Sequence, residues 1–173
     1  MVNKAPQGKL VNGFIVTNDL LGSGAFGSVY LGYFEKEPER KVAVKQIPVA
    51  NIPKKDSKQF TKLLKREIDI QKKLTNSQNI VTMHDCALTT NNLYMFLEYC
   101  DSGDLSQLLK KEGRLPEVTA VKYFRGICNA FRACYENNII HRDLKPANIM
   151  IHVGEAMVSD FGFARSIGKN IIL

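Results

Sequence analysis

Four side chains able to support chemistry lie in the stretch from residue 141 to residue 162. Asp143, Lys145 and Asn148 fall within six residues of one another, and Asp160 follows after a short apolar run. Oxygen atoms of aspartate and asparagine are ligands for hard cations such as Mg²⁺, and a carboxylate can accept a proton from a hydroxyl. This spacing between short β-like pieces indicates a reaction that binds a metal and takes a proton from a hydroxyl. Phosphoryl transfer is the chemistry that these residues suit.

A glycine-rich segment near the N-terminus is the second chemical feature. It consists of Gly22, Ser23, Gly24, Ala25, Phe26 and Gly27. The G-x-G-x-x-G pattern is a weak signal alone, because dinucleotide-binding loops share it, but those loops open a helix and residues 28–31 continue here as a strand. Glycines let backbone amides approach phosphate oxygens that larger side chains would obstruct. The context favours a phosphate-covering loop joining two strands.

The surrounding segments have the periodicity of strands and helices. We predict strands at residues 14–21, 29–34, 42–47, 87–88 and 93–99, after a polar lead over residues 1–13. A helix is predicted over residues 60–74, and a long core helix from Pro116 to Asn138. The predicted apolar stripe of the long helix consists of Ala120, Val121, Phe124, Ile127, Cys128, Phe131, Cys134 and Tyr135. Both of its cysteines are therefore expected to be buried apolar residues.

The chain resembles the protein kinase superfamily over essentially its whole length. The resemblance rests on the glycine segment, strand residues 42–45, a helix glutamate at position 67, residues 141–148 and the triplet 160–162. It implies an α+β, protein-kinase-like fold. Residues 1–97 would form an N-terminal lobe with an antiparallel β-sheet and one helix, residues 98–103 a hinge, and residues 104–173 an incomplete, mainly helical C-terminal lobe.

The resemblance implies roles for the central stretch, with ATP and Mg²⁺ as cofactors. Asp143 would be the catalytic aspartate, and Lys145 would stabilise the transferring phosphoryl group. Asn148 and Asp160 would supply oxygens to Mg²⁺. His141 is expected to be a hydrogen-bonded core histidine.

The same resemblance implies a set of nucleotide-binding residues. Besides the glycine segment, they are Val29, Ala43, Lys45, Glu67, Leu97, Glu98, Cys100, Asp104 and Met150. Lys45 would reach the phosphates and pair with Glu67, although a surface lysine and an exposed helix carboxylate are the plainer alternatives. Adenine would bind the backbone of Glu98 and Cys100, with Leu97 at the back of the pocket. Asp104 fits a ribose hydroxyl and a helix N-cap equally well.

Residues 145–147 differ from the usual sequence of tyrosine kinases, which argues for protein substrates with serine or threonine hydroxyls. Residues 102–105, 113–116 and 160–165 resemble the autophagy-initiating Unc-51-like kinases, while other serine/threonine families, including the calcium/calmodulin-dependent group, share parts of the pattern. The alternative from another class is a catalytically incompetent kinase-like module that binds nucleotide or a partner and regulates another protein.

Composition limits the class of protein. The chain has 173 residues, 45% of them hydrophobic and 24% charged, which is ordinary for a soluble domain and excludes disordered and collagen-like classes. No apolar run is long enough for a transmembrane segment, and four cysteines without metal-site spacing fit a reducing cytosol or nucleus, of which a cytoplasmic location is predicted. The net charge of +7 is concentrated in a lysine cluster over residues 54–73 that contains acidic residues and only one aromatic residue, Phe60. A solvated helix face is therefore favoured over nucleic-acid binding, and an acidic regulatory protein partner remains open.

The resemblance also gives expectations for the end of the chain and for one unusual residue. The sequence stops 13 residues after Asp160, before the activation loop and C-terminal helices of the family, so a fragment or truncated product with little activity alone is expected. The long helix should then expose apolar surface, and Arg142 should lack the phosphorylated loop that usually faces it. Gln71 stands one turn after Glu67, where the family has an apolar residue, which predicts looser packing there.

Overall fold

The computed structural model describes residues 7–24, 27–50 and 54–168. By its contacts the chain divides into two compact units, which are described separately. The first contains Met1–Asp56 and Met83–Tyr99, and the second contains Ser57–Thr82 and Cys100–Leu173. The predicted lobe boundaries at residues 97 and 104 stay a prediction. No helix in the described part of the chain is both long enough and apolar enough to cross a membrane.

The first unit is built on a six-stranded antiparallel sheet with the strand order β1-β2-β3-β4-β6-β5. The strands are β1 (Lys9–Val11), β2 (Phe14–Gly24), β3 (Gly27–Phe34), β4 (Lys41–Pro48), β5 (Met83–Leu88) and β6 (Asn92–Glu98). All five predicted strands are present. The antiparallel N-terminal sheet of the kinase-like fold is thereby confirmed.

Strand β1 corrects the prediction of a polar lead. Asn12 and Gly13 have φ angles of 51° and 80°, so they form a tight turn that pairs Val11 with Phe14. Asn-Gly is a strong hairpin signal because both residues tolerate positive φ. The short strand then buries Val11 against the sheet core.

Aromatic side chains and valines fill the core of the first unit. Phe14 stacks on Phe96 with ring centroids 4.0 Å apart, and Phe34 packs on Phe14 at 5.0 Å. Val42 and Val44 alternate with less buried residues along β4, as the period of two predicts. One face of β4 therefore belongs to the core, and the other face is available for a site.

The second unit carries most of α1 (Lys54–Lys73) and all of α2 (Leu105–Glu112) and α3 (Glu117–Glu136). Its strands are β7 (Ile139–Ile140), β8 (Ile149–His152), β9 (Glu155–Val158) and β10 (Arg165–Ser166), with a single 3₁₀ turn at Pro146–Asn148. Strands β8 and β9 form a hairpin, and β10 pairs with β7. Buried residues of α1, α3 and the hairpin share one hydrophobic core, which includes Ile70, Ala130, Ile149, Val158 and Phe161.

Helix α3 corrects the predicted apolar stripe. Its buried residues are Tyr123, Gly126, Ala130 and Cys134, so the core face is turned away from several residues of the predicted stripe. Cys128 is exposed, contrary to the prediction that both cysteines are buried. The predicted stripe was too wide because apolar residues continue around the helix beyond its core face.

The predicted exposure of apolar surface on this helix is confirmed. Val121, Phe124 and Tyr135 are 49%, 67% and 77% exposed. They follow one another at helical spacing along the face that also carries Cys128.

Candidate active site

His141 is a buried, hydrogen-bonded histidine of the catalytic stretch, as the sequence predicted. Its side chain is fully buried, and its Nδ1 accepts a hydrogen bond from the Asp143 backbone N–H at 3.2 Å. That bond leaves the proton on Nε2, which donates to the Ser159 carbonyl oxygen at 3.0 Å. The ring also packs edge-on against Phe161 at 4.8 Å. One imidazole therefore fixes the backbone before Asp160 relative to Asp143.

The Asp143 carboxylate is held by two side chains. Lys145 donates from Nζ to Oδ2 at 2.7 Å, and Asn148 donates from Nδ2 to the same oxygen at 2.9 Å. Asn148 Nδ2 also reaches the Asp143 carbonyl oxygen at 2.9 Å. The hydrogen bond from Lys145 is the main reason that the pKa of Asp143 is lowered, and the Asn148 bond adds to it. Asp143 is therefore an ionised carboxylate at neutral pH, able to accept a hydrogen bond from a hydroxyl.

The two candidate metal ligands, Asn148 and Asp160, are connected through Ser159. The Ser159 N–H and hydroxyl both donate to the Asn148 carbonyl oxygen, at 2.9 and 3.1 Å, and Asp160 is the next residue. The amide nitrogen of Asn148 is committed to Asp143, so its amide oxygen is the atom left for a cation. Among the described residues there is no group of three or more His, Cys, Asp or Glu side chains that could hold a metal. Mg²⁺ does not need one, because it is commonly held by one or two protein oxygens with water and substrate phosphates.

Glu67 of helix α1 lies close to Gly162, which follows Asp160 by two residues within the second unit. Its side chain is only 5% exposed, and its Oε2 is 3.4 Å from the position of a Cβ atom added to Gly162. The same added atom would be 3.3 Å from Asp160 Oδ1. Asp160 itself has a φ of 60°, a conformation that few non-glycine residues adopt and that is frequent at functional sites. The alternative of an exposed helix carboxylate is therefore wrong for Glu67.

Four predicted nucleotide-binding residues share one face of the sheet in the first unit. The strand register places Val29 opposite Lys45 and Ala43 opposite Leu97. Directly opposed residues of antiparallel strands project to the same side, and this side is opposite to the two buried valines of β4. The sheet thus presents a lysine beside three apolar side chains.

The glycine segment forms the end of the β2–β3 hairpin. Gly22 pairs with Val29, Ser23 with Ser28 and Gly24 with Gly27. Ala25 and Phe26 lie outside the described residues. The predicted strand-loop-strand context is confirmed, with both strands continuing up to the glycines.

Two further predicted residues meet in the second unit. Asp104 and Met150 are joined by a β-bridge, and Asp104 also caps α2 by accepting the Gln107 N–H at 2.9 Å. The N-cap alternative for Asp104 is confirmed. The ribose role of Asp104, the Met150 contact, the backbone roles of Glu98 and Cys100, and the pairing of Lys45 with Glu67 stay predictions.

An arginine cluster of the second unit was missed by the sequence reasoning, apart from Arg142. Burial lowers the pKa of Arg66, and the positive charges of Arg165 and Arg142 lower it further. The Arg66 Nε atom is buried and has no hydrogen-bond partner among the residues that the structure describes. Arg142 donates through Nε and a terminal nitrogen to the Phe163 carbonyl oxygen. Each arginine looks ordinary in the sequence, because nothing in their spacing shows that 66, 142 and 165 come together.

Comparison with known proteins agrees with this geometry. The protein kinase domain family matches residues 15–171. This match covers most of the chain, and the chain belongs to that family.

Three relatives indicate the branch of the family. The chain is 35% identical over 164 residues to the serine/threonine-protein kinase ULK1 of Homo sapiens, covering 89% of this chain and 15% of that protein. It is 34% identical over 167 residues to the serine/threonine-protein kinase unc-51 of Caenorhabditis elegans, covering 89% of this chain and 19% of that protein. It is also 33% identical over 164 residues to the serine/threonine-protein kinase ATG1c of Arabidopsis thaliana, covering 92% of this chain and 21% of that protein. The chain thus spans about a fifth or less of the length of these relatives and is similar to kinases of the Unc-51-like branch.

Proposed function

We propose that this chain is the nucleotide-binding and catalytic part of a protein kinase that transfers the γ-phosphoryl group of ATP to serine or threonine hydroxyls of a protein substrate. The observation that carries the proposal is the hydrogen-bonded Asp143 carboxylate. Lys145 and Asn148 both bind its Oδ2, and Ser159 connects Asn148 to Asp160. In this proposal, Asp143 would bind the substrate hydroxyl, the Lys145 ammonium group would supply positive charge, and Asn148 and Asp160 would each offer an oxygen to a metal ion.

Each of these side chains has a separate role in the proposed phosphoryl transfer. Asp143 orients the substrate hydroxyl and would accept its proton at Oδ as the hydroxyl oxygen bonds to the γ-phosphorus of ATP. The bond from that phosphorus to the β,γ-bridging oxygen breaks in the same transfer, and ADP leaves with that oxygen. A carboxylate with a lowered pKa is a weak base, so the hydroxyl is positioned first and the proton moves late. Lys145 supplies a positive charge beside the reacting oxygen. Bound Mg²⁺, held by Asp160 and the amide oxygen of Asn148, would neutralise phosphate charge.

ATP would be bound by residues of the first unit in the same proposal. Lys45 would contact the α- and β-phosphates, and the apolar neighbours Val29, Ala43 and Leu97 would cover the base. Support comes from their common face on the sheet. The glycine hairpin would offer backbone N–H groups to the phosphates.

The choice of substrate and the cellular role rest on the relatives. The three named relatives are called serine/threonine-protein kinases, which supports hydroxyls of serine and threonine as acceptors. A role in autophagy, a cytoplasmic location and a regulatory protein partner are proposed from the resemblance to the Unc-51-like branch.

The arginine cluster fits a phosphate group in the same proposal. The positive charges of Arg165 and Arg142 act unfavourably on the Arg66 guanidinium, and an anion would offset that repulsion. A phosphorylated segment that binds Arg66 would therefore favour the position of α1 seen here. Since Glu67 is the next residue of that helix, its position would be favoured as well.

Two variants test the division of roles. Asp143→Asn should lower phosphate transfer about 100-fold or more and leave Mg²⁺-dependent ATP affinity nearly unchanged, because it removes the proton acceptor only. Asp160→Asn should weaken ATP affinity in Mg²⁺ while leaving the affinity in EDTA unchanged. ATP binding is measured by thermal shift and calorimetry, and transfer by radiolabelled phosphate on a serine-containing protein.

The same measurements can contradict the proposal. Equal loss of Mg²⁺-dependent affinity in both variants would remove the division of roles between the two aspartates. ATP binding by the unmodified chain without transfer above the Asp143→Asn control would favour a nucleotide-binding regulatory module.

A further inference from the structure

Gln71 is a polar residue in the apolar interior of the second unit. It is 4% exposed, and its neighbours on α1, Ile70 and Leu74, are 2% and 0% exposed. Its Nε2 donates to the Val81 carbonyl oxygen at 2.5 Å. Burying an amide is unfavourable unless it is hydrogen-bonded, so this contact determines where the side chain can lie. The expectation of looser packing at Gln71 stays a prediction, and the structure adds a directed hydrogen bond to it.

The acceptor of this bond belongs to a segment that also holds the strand before Asp160. The Val81 N–H donates to the Val158 carbonyl oxygen at 2.9 Å, and the Val158 N–H donates to the Asn79 carbonyl oxygen at 2.8 Å. Val158 is fully buried and ends β9, two residues before Asp160. Residues 79–81 therefore join α1 to the strand that delivers the candidate metal ligand.

The segment 79–81 is itself firmly anchored. The Asn79 amide donates to the Ala156 carbonyl oxygen at 2.9 Å and accepts a bond from Asn129 of α3 at 3.2 Å. A side chain that binds this segment is therefore held against a fixed part of the second unit.

A second contact joins the same two elements one helical turn away. Glu67 precedes Gln71 by four residues, a rise of about 6 Å along the helix, and the two side chains share a face. The Glu67 carboxylate lies against Gly162, two residues beyond Asp160. Helix α1 thus meets the stretch 158–162 twice, through Gln71 by way of Val81 and through Glu67 directly.

We propose that Gln71 is a positioning residue that fixes the rotation and axial position of α1, and thereby the placement of Glu67 against Gly162 and of Asp160. An apolar side chain could fill the same space, but it would allow α1 to slide or rotate without losing a directed contact. Hydrogen bonds weaken steeply with misalignment, so Gln71 restricts α1 to one register. The proposal rests on the proposed function only for the role of Asp160 in binding Mg²⁺.

The test compares Gln71→Met with Lys72→Met. Methionine has the length and helix propensity of glutamine but no donor, and Lys72 is the exposed neighbour on the same helix. Native-state hydrogen exchange should be about tenfold faster at residues 66–71 and 158–162 of Gln71→Met, because a buried carbonyl loses its donor. Exchange at residues 126–134 of α3 should not change, and Lys72→Met should match the unmodified chain throughout.

A second measurement separates positioning from plain stabilisation. The ratio of ATP dissociation constants in EDTA and in Mg²⁺ should fall about tenfold in Gln71→Met, equivalent to about 1.4 kcal/mol, and stay constant in Lys72→Met. If the unmodified chain shows no Mg²⁺ effect on ATP binding, the proposed function has failed, and the exchange pattern alone decides the role of Gln71.

Three outcomes would overturn the proposal. One is unchanged exchange at residues 158–162 in Gln71→Met, and another is uniformly faster exchange that includes α3, which would indicate a purely stabilising bond. The third is measured on the unmodified chain and does not depend on a folded variant. If the Gln71 side-chain amide protons exchange as fast as those of a free glutamine in an NMR measurement, the bond to Val81 does not restrict α1.

Discussion

The glycine hairpin of the first unit and the catalytic stretch of the second are built in opposite ways. A Cβ atom added to Gly22 or Gly24 would meet no atom of the described residues within 4 Å, so among these residues there is open space beside both glycines. In the catalytic stretch, by contrast, both ring nitrogens of His141 form hydrogen bonds with backbone atoms. The Asn148 amide nitrogen donates two hydrogen bonds to Asp143.

This difference separates two kinds of functional motif. A motif that works through backbone amides needs empty space, and substitutions there should affect ligand binding more than folding. A motif that works through aligned side chains needs hydrogen-bonded support, so substitutions there should affect folding and chemistry together. The predictions below test this distinction, beginning with the largest expected effect.

Gly27 is the exception within the hairpin, because a substitution there should affect folding strongly. Its φ is 151°, and a Cβ atom there would lie 2.1 Å from the Gln46 carbonyl oxygen of β4. Gly27→Ala should therefore lower the free energy of unfolding by about 4 kcal/mol, from backbone strain and overpacking together. Urea unfolding of this variant beside Gly24→Ala measures the difference. Equal stability of the two variants would show that the hairpin tolerates side chains at both positions.

His141→Phe should have the next largest effect. Phenylalanine preserves the ring volume, but the Asp143 N–H and the Ser159 carbonyl oxygen both lose their partner. We expect the free energy of unfolding to fall by about 2 kcal/mol, with faster hydrogen exchange at residues 143 and 159–160. A control at a partly buried ring, Phe131→Leu, should lower stability without selective exchange at those residues. Selective exchange in the control instead would assign the effect to packing.

Sequence patterns predicted the elements whose signal is local. The strands of the first unit and the shared face of Ala43 and Lys45 follow from a period of two, and the glycine hairpin follows from its flanking strands. The catalytic stretch was recognised because its residues lie close together in the chain. Hydrogen bonds from Lys145 and Asn148 to Asp143 span only two and five positions.

Features formed by distant residues were missed for a physical reason. Arg66 meets the fields of Arg142 and Arg165 only after α1, the catalytic loop and β10 have packed together. The face of α3 that is buried depends likewise on which neighbours reach it, so Cys128 and Cys134 could not be distinguished by hydrophobicity. Burial raises the pKa of the Cys134 thiol to about 11, whereas Cys128 is exposed.

Gly22→Ala tests whether a glycine of the hairpin with free space beside it serves ligand binding rather than folding. The methyl group meets no atom of the described residues within 4 Å, so the free energy of unfolding should stay unchanged or rise by up to about 1 kcal/mol as the unfolded chain loses freedom. ATP affinity should fall about tenfold, since the methyl group occupies space that a phosphate oxygen needs. Calorimetry with ATP and with adenosine measures the loss, and adenosine should bind as before. A loss of stability without a loss of ATP affinity would reverse the assignment for Gly22.

Lys145→Met should have a small, pH-dependent effect on stability and a specific effect on the pKa of Asp143. The lysine hydrogen bond is the first cause of the lowered pKa of Asp143, so its removal should raise that pKa toward the ordinary range of an aspartate. A carboxyl whose pKa is lowered by folding contributes stability above its unfolded pKa, and that stability is lost as the pH falls through the folded pKa. The unmodified chain should therefore lose stability over this acidic range, and Lys145→Met should show a shallower loss. Carboxyl ¹³C NMR titration measures the pKa of Asp143, with Lys111→Met at an exposed ion pair as the control. An unchanged Asp143 pKa in Lys145→Met would mean that the Asn148 bond alone holds the carboxylate.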